Sequence, residues 1–596
     1  MNKLFLLAVT ACLLSSCGDG GKDNDKNRVA KGERVYGGTF RYNENTEWQT
    51  LLPFAIIDAA SAHIATQVYE GLVKFNPRTL KIMPCLAESW ELDESKTTYT
   101  FHLKKGVYFH DYACFPDGKG REVKASDFKF SFELLCTQHK DNFSFSTSFK
   151  DRVAGVNKYY EASGTGTPGF PLEGVKVIDD YTLQLTLIKP EPNFLYILAQ
   201  PPASVVPKEC FEKDGDMLST GTGPFIFADI IEEYDEATGK PMEKVILVRN
   251  ANYHRTDSFD NRLPFLDSIV VSFTIPKKEE LDMFFNRKLD LVLSIPAQSV
   301  REMIEQHIAS FEKKPPLYVL ERSTDMASHF IEFNLNSIFK DIRIRKAFSL
   351  AVDRKKIVEE ILDNEGSGGF NGIVPPAFMS YGYDVTKIKG FSYDMEQAKK
   401  LLAEAGYKNG EGFPPVKMEV NVGGYNTQVA FEVQKQILNN LNVNVDIEIV
   451  PMSVKLEDAA YSRADLFMSA WIADYPAPDN FLMLLYGKTV PDSLSQPSFY
   501  NTSRYVNADF DKLFEEAAVT DSVSHKFDLY IQAEQKAIED APILVLWYEE
   551  NYRLSQSFVN RLFLNSMHYR DFSEVFFRAP KPQPGAQEKD TTAAAQ

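Results

Sequence analysis

No block of Lys and Arg occurs anywhere in the 596 residues, and acidic side chains outnumber basic ones, giving a formal net charge of −18. Nucleic-acid binding rests on clustered cations that displace counterions, so nucleic acid is excluded as a partner. The six cysteines contain no CxxC pair, and the nine histidines are scattered without ligand spacing, which removes the common zinc and nickel sites. HExxH, GxSxG and any Cys–His arrangement with a local catalytic signature are missing as well. Hydrolysis would need a nucleophile with its base, or a metal triad, and neither can be assembled. His329 and Glu332 come nearest to a metal pair, but they lie in strand-like sequence, where alternation sends them to opposite faces. Neither an enzyme nor a cofactor is expected.

Long apolar runs are lacking too, with one exception. Met1-Asn2-Lys3 precedes LFLLAVTACLL (residues 4–14), which has the length of a signal-peptide core and is too short to span a bilayer as a mature helix. The run ends in Leu14-Ser15-Ser16-Cys17, which resembles a bacterial lipobox: two small residues, then a cysteine that carries lipid. Residues 1–16 are therefore expected to be removed and Cys17 acylated, so that acyl chains rather than a helix hold the chain at a membrane. Residues 17–36, polar, charged and Gly-rich, suit a flexible tether. Cys85, Cys114, Cys136 and Cys210 remain beyond the signal and the lipid site. An envelope compartment permits disulfides in any of three pairings, and four free buried thiols are the alternative.

What is present fits a large binding protein. A chain this long exceeds one hydrophobic core, so two or three domains are expected. Its 44 Phe and 27 Tyr suit large cores or aromatic-lined clefts. GGTFRY (residues 37–42) reads as a turn and strand, and residues 64–73 as a helix with Ile64, Val68 and Leu72 on one face. TYTFHL (98–103) and VYFH (107–110) read as strands, and a helix opens near residue 125 with Ser126 or Asp127 as its cap. Gly221-Thr222-Gly223-Pro224 lacks the spacing, the lysine and the following helix of a phosphate cradle, and reads as a structural turn. From about Tyr318 helices and strands alternate, as in α/β layering. Residues 394–405 form an amphipathic helix stopped by Gly406, and DLFMSAW (465–471) a central strand buried on both faces. Residues 579–596 are Pro-, Gln- and Ala-rich and read as a disordered tail.

A series of short markers, in order across residues 36–578, resembles family 5 of the bacterial extracellular solute-binding proteins, the peptide-binding lipoproteins of ABC importers. They include Val68-Tyr69-Glu70-Gly71-Leu72-Val73, Leu86-Ala87-Glu88-Ser89-Trp90, Ala125-Ser126-Asp127-Phe128 and Gly221-Thr222-Gly223-Pro224-Phe225. Phe333-Asn334-Leu335-Asn336, Ala403-Glu404-Ala405-Gly406-Tyr407 and Trp471-Ile472-Ala473-Asp474-Tyr475 continue the series. The resemblance implies an α/β, periplasmic-binding-protein-like (type II) fold: two hinged lobes around a cleft plus a third, inserted domain. Mapped on this chain, lobe I comprises 37–74, 201–317 and 541–578, the inserted domain 75–200, and lobe II 318–540. It also implies a monomer that captures extended peptides in the cleft, closes on them, and presents them to an ABC permease with its ATPase subunits. The soluble body would stand in the periplasm.

The segment SAWIADYPAPDNFL (residues 469–482) carries the sharpest expectation. In the family, the Asp of Trp-x-x-Asp pairs with the ligand α-ammonium, and that residue is Asp474 here. An ammonium removed from water needs a carboxylate partner in good geometry. The main chain at Ala470 and Ile472 is expected to bond the ligand backbone, with Trp471, Ala473 and Tyr475 beside it. From the residues alone, Asp474 could equally cap a turn before Pro476, and Trp471 reads as core. Asp479 and Asn480 suit the N-cap of a helix over 481–485. Ser61 and His63 are candidate contacts from the amino-terminal side, although His63 could equally start a surface helix. The chain departs from some oligopeptide binders at Met468, where an Arg would hold the ligand carboxyl end. The alternative ligand is a non-peptide solute of the family, an oligosaccharide, an opine or a nickel chelate; Asp474 favours an amine-bearing one.

Overall fold

The computed structural model describes residues 29–578, apart from Ile57, residues 216–217, 235–240, Pro296 and residues 422–424. The signal segment, Cys17, the first part of the tether and the tail 579–596 lie outside the described residues.

One mixed sheet of eleven strands organises the molecule. Numbered along the chain they are β1 (Thr39–Glu44), β2 (Phe225–Tyr234), β3 (Pro241–Arg249), β4 (Ser268–Phe273), β5 (Leu291–Val292), β6 (Tyr318–Phe333), β7 (Gly366–Gly368), β8 (Val416–Asn421), β9 (Val445–Val450), β10 (Leu466–Ile472) and β11 (Ile543–Gln556). Their order is β2-β3-β4-β1-β5-β11-β6-β10-β8-β9, with β7 on β11. The long strands β6 and β11 pair antiparallel from Tyr318↔Gln556 to Glu332↔Ile543. Near one end β11 bonds β5, and near the other end β6 bonds β10. They are thus shared by two halves, and the register shifts between Thr324 and Ser328, where one half gives way to the other. Beyond them β8, β9 and β10 lie parallel, connected by the helices Asn426–Leu441 and Met452–Ala460. This is the helix–strand alternation expected after Tyr318.

A separate antiparallel sheet, Ala87–Leu92, Thr98–Leu103, Thr182–Thr186 and Val175–Asp179 in that spatial order, forms a further unit. The helix Ala125–Leu135 closes it with the fully buried rings of Phe128 and Phe132. Its cap differs from expectation: Lys124 is the N-cap, and Asp127 Oδ2 accepts from the Lys124 N–H at 2.8 Å. VYFH holds only a single bridge, Tyr108 to Glu122, not a strand.

The helix expected over 64–73 runs instead over Ala59–Val68. Asp58 starts it by accepting from the Ser61 N–H, and Tyr69 is already extended. Beyond it the chain passes closely against the Leu198 carbonyl oxygen, 2.8 Å from where a Cβ on Gly71 would lie, and continues as a strand, Val73–Phe75. The Gly221–Gly223 turn is structural as read: a Cβ on Gly223 would meet the Gln67 carbonyl oxygen at 2.4 Å. Residues 394–405 behave as expected, with Asp394 capping the helix Met395–Glu404 and Gly406 left-handed beyond it. Neither cysteine alternative holds whole: Cys114 and Cys210 are bonded with Cα atoms 5.0 Å apart, while Cys85 and Cys136 are free and buried. Strand β10 is buried on both faces only over Leu466, Phe467 and Met468; its far end emerges, and Ile472 is 66% exposed.

Candidate functional site

The emerging end of β10 leads to a cavity of about 490 Å³. Its walls come from stretches far apart in sequence: Asp58, His63 and Thr66; Ser144–Ser148 and Arg152; Gln200; Ala473, Asp474, Tyr475 and Asn480; Tyr500; Met567, Tyr569 and Arg570.

The geometry of Asp474 begins with strand alternation. The Ala473 N–H donates to the Met326 carbonyl at 2.8 Å, so Trp471 and Ala473 turn their main-chain groups toward β6. Alternation then turns those of Ala470 and Ile472 to the opposite edge. That edge bonds β8 only at Leu466 and Phe467, and Lys455 Nζ donates to the Met468 carbonyl at 2.6 Å. Among the described residues no strand pairs with the edge over residues 469–472.

After the strand, the fully buried Asn480 fixes the turn. Its Oδ1 accepts from the Asp474 N–H and from Trp471 Nε1, each at 2.9 Å, and its Nδ2 donates to Asp474 Oδ2 at 3.1 Å. Asp474 is open to the cavity, yet the protein around it holds its carboxyl above the ordinary value. Desolvation is the cause, opposed by the Asn480 hydrogen bond and the charge of Arg152. A carboxylate so placed gains by meeting a cation.

Across the cavity, His63 Nδ1 lies 3.1 Å from Glu44 Oε1, and Arg570 bonds the same carboxylate. Glu44 is pulled down to about 2: desolvation alone would raise it, and Arg570 and His63 reverse that. His63 is held below the ordinary imidazole value, chiefly by burial and then by the Arg570 charge. It is buried in the cavity wall and does not start a surface helix.

The inserted unit also bonds the turn that carries Asp474. Gln200 Nε2 donates to the Asp474 carbonyl at 2.5 Å, and Asn193 Nδ2 donates to Asp479 Oδ2. The rings of Tyr196 and Tyr475 stack with centroids 5.8 Å apart. Tyr475 Oη donates to Asp479 Oδ2 at 2.9 Å, and burial raises the Asp479 carboxyl to about 6.

Of the residues singled out in the sequence, Asp474, Ala473, Tyr475 and His63 line the cavity. Ala470 and Ile472 stand on the unpaired edge outside it, and Trp471 packs edge-on against Tyr500 at 5.7 Å, nearer to the core reading. Ser61 is a correction: it is fully buried, and its Oγ accepts from the Gln49 N–H at 2.8 Å and the Thr50 N–H at 3.2 Å, so it braces a loop. Asp479 and Asn480 are a second correction: Pro478 is the cap of a four-residue helix, and the two side chains order the cavity wall instead. Arg152, Gln200 and Tyr500 escaped the sequence reading, and no local motif marks them. Met468 is buried in the core, so its position could not present a side chain to a ligand. Among the described residues, no group of three or more His, Cys, Asp or Glu is placed to hold a metal ion, and no helix is long and apolar enough to cross a membrane.

The family model described as bacterial extracellular solute-binding proteins, family 5 middle, matches residues 81–493, well over half of the chain. The chain belongs to that family. Among its relatives, heme-binding protein A of Haemophilus influenzae is 28% identical, covering 90% of this chain and 92% of its own length. The dipeptide-binding protein of Escherichia coli is 27% identical, covering 80% and 83%. The solved periplasmic binding protein DppA of Helicobacter pylori, in complex with the peptide STSA, superposes with a TM-score of 0.68 at 25% identity, covering 92% of this chain and 99% of that one. The fold is accordingly the type II periplasmic-binding-protein-like one. The long strands β6 and β11 join the two halves of the large sheet, and the four-stranded sheet forms a further unit.

Proposed function

We propose that this family 5 protein is the receptor of an ABC importer, binding peptides by pairing their α-ammonium with Asp474 and holding their main chain along the edge at Ala470 and Ile472. One observation carries the reading: an Asn480-braced carboxylate, raised by desolvation, stands in a cavity walled by all three parts of the fold. The free strand edge supports it, because an extended peptide can add to such an edge through main-chain bonds that ignore side chains. The names of the dipeptide-binding relative and of the STSA complex support the same ligand class.

The mechanism is closure rather than chemistry. A ligand that touches both lobes stabilises the closed form by its differential affinity, and the permease with its ATPase subunits would recognise that form. The division into 37–74, 201–317 and 541–578 for lobe I, 75–200 for the inserted domain and 318–540 for lobe II belongs to this reading. So do a monomeric state, a periplasmic body and a lipid anchor on Cys17. Native mass spectrometry of the full-length protein as purified tests the ligand class. Co-purified masses of short peptides are expected; a co-purified tetrapyrrole or sugar, with no peptide, would overturn it.

A further inference from the structure

The cavity described above has a second charged end that the family pattern does not supply. Three of its lining residues are basic: His63, Arg152 and Arg570. His63 and Arg570 are both engaged by the buried Glu44 carboxylate. Lobe II offers nothing at Met468, which is buried in the core. Arg152 stands apart. Its Nη1 donates to the carbonyls of Thr147 at 2.9 Å and Ser148 at 3.3 Å, which fixes the guanidinium from one side. Its ion pair with Glu191 is a long and partly exposed one, 3.9 Å, beyond hydrogen-bonding distance, so it is weaker than the Glu44 pairs. From across the cavity it acts on the Tyr500 hydroxyl and on Asp474 through its charge. It is a cation of the inserted domain, anchored by backbone and reaching across the cleft.

Resting on the peptide reading, we propose that Arg152 receives the ligand's C-terminal carboxylate, with the Tyr500 hydroxyl beside it, so that the site selects short zwitterionic peptides. A guanidinium presents a planar fork that matches a carboxylate, which an ammonium does not. The volume agrees, since about 490 Å³ lies in the lower part of the ~300–1,000 Å³ range of small-ligand pockets. Binding both ends would also give closure a reason: Asp474 belongs to one lobe and Arg152 to the inserted domain, so a ligand held at both ends pulls them together.

The test is calorimetric titration of the full-length protein with trialanine and with trialanine amide, which lacks the carboxylate charge. Wild type is expected to bind the acid roughly 10- to 100-fold more tightly than the amide, the size of one charge-assisted bond. Arg152→Gln should lose most of that ratio by weakening the acid alone, and Arg152→Lys should recover part of it. Three results would overturn the inference. One is equal wild-type affinity for acid and amide, which needs no variant and so does not depend on folding. Another is equal weakening of both ligands by Arg152→Gln, which would make Arg152 structural. The third is tighter binding by Arg152→Gln, which would make Arg152 a resting counter-ion of Asp474. Failure of trialanine to bind wild type at all would instead remove the peptide reading, and this inference with it.

Discussion

Replacing Asp474 by Asn keeps the shape of the turn and removes the charge offered to the ligand. The variant amide can still bond Asn480, so the loss should fall on binding rather than folding. Truncating one partner of a buried, hydrogen-bonded charge pair typically costs about 2–5 kcal/mol, that is, roughly 30- to 4,000-fold in affinity. Two features of this site favour the lower half of that range. Asp474 remains open to the cavity, and Arg152 already neutralises part of its charge. A loss of roughly 30- to 300-fold is therefore expected for trialanine at neutral pH. Titration calorimetry against trialanine and N-acetyl-trialanine separates the ammonium contact from everything else. Wild type should prefer the free amine, and Asp474→Asn should bind both forms about equally. The pH dependence has a definite sign: the contact needs the carboxylate, so affinity holds above the Asp474 pKa and falls as pH drops through it. Because desolvation raises that pKa, the fall begins at a higher pH than for an ordinary Asp. Undiminished binding of the free amine by Asp474→Asn would refute the reasoning, as would an equal loss for the acetylated peptide.

Three further outcomes follow from other parts of the molecule. Burial raises the Glu534 carboxyl from 4.5 to about 7, where it bonds the Val374 N–H and the Tyr383 hydroxyl. The native state thus keeps a proton that the unfolded chain releases, so this contribution is full below pH 4.5 and is lost as pH rises through 7, by about 3 kcal/mol. Glu534→Gln should flatten that slope in denaturant titrations across the window, and an unchanged slope would contradict it. Tyr196→Ala removes a stacked pair that joins the helix Phe194–Leu198 to the turn carrying Asp474, and should weaken trialanine and its amide equally, by roughly 3- to 10-fold, through a smaller closed population; small-angle scattering should then show a more open protein at subsaturating ligand. Gly223→Ala places a Cβ 2.4 Å from the Gln67 carbonyl oxygen, and should lower stability by about 2–4 kcal/mol in thermal or denaturant unfolding without changing the acid-to-amide ratio.

The fold and one end of the site were legible in the sequence because they are locally written. Asp394 and Gly406 bracket a helix with a cap and a left-handed stop, and both signals lie within a few residues of the element they bound. Asp474 stood out as a carboxylate at the end of an apolar strand. Asp479 and Asn480 misled, because their side chains are taken by the Tyr475 hydroxyl, the Trp471–Asp474 turn and the distant Asn193 rather than by the helix start. Arg152 carried no signal at all: it follows a five-residue helix whose carbonyls aim it, and the carboxylates near it, Glu191 and Asp474, are remote in sequence. Ser61 failed for the opposite reason, since its helix position suited a cleft while its hydroxyl was required by the Gln49–Thr50 backbone. Local pattern finds elements; a cavity built from stretches far apart in sequence is found only when they are brought together.

The most direct measurement is a crystal structure of the protein with bound trialanine. The account predicts the ammonium nitrogen within about 2.7–3.2 Å of an Asp474 carboxylate oxygen, and the ligand carboxylate turned toward Arg152 and Tyr500. A ligand lying in the cavity with its ammonium directed away from Asp474 would contradict it.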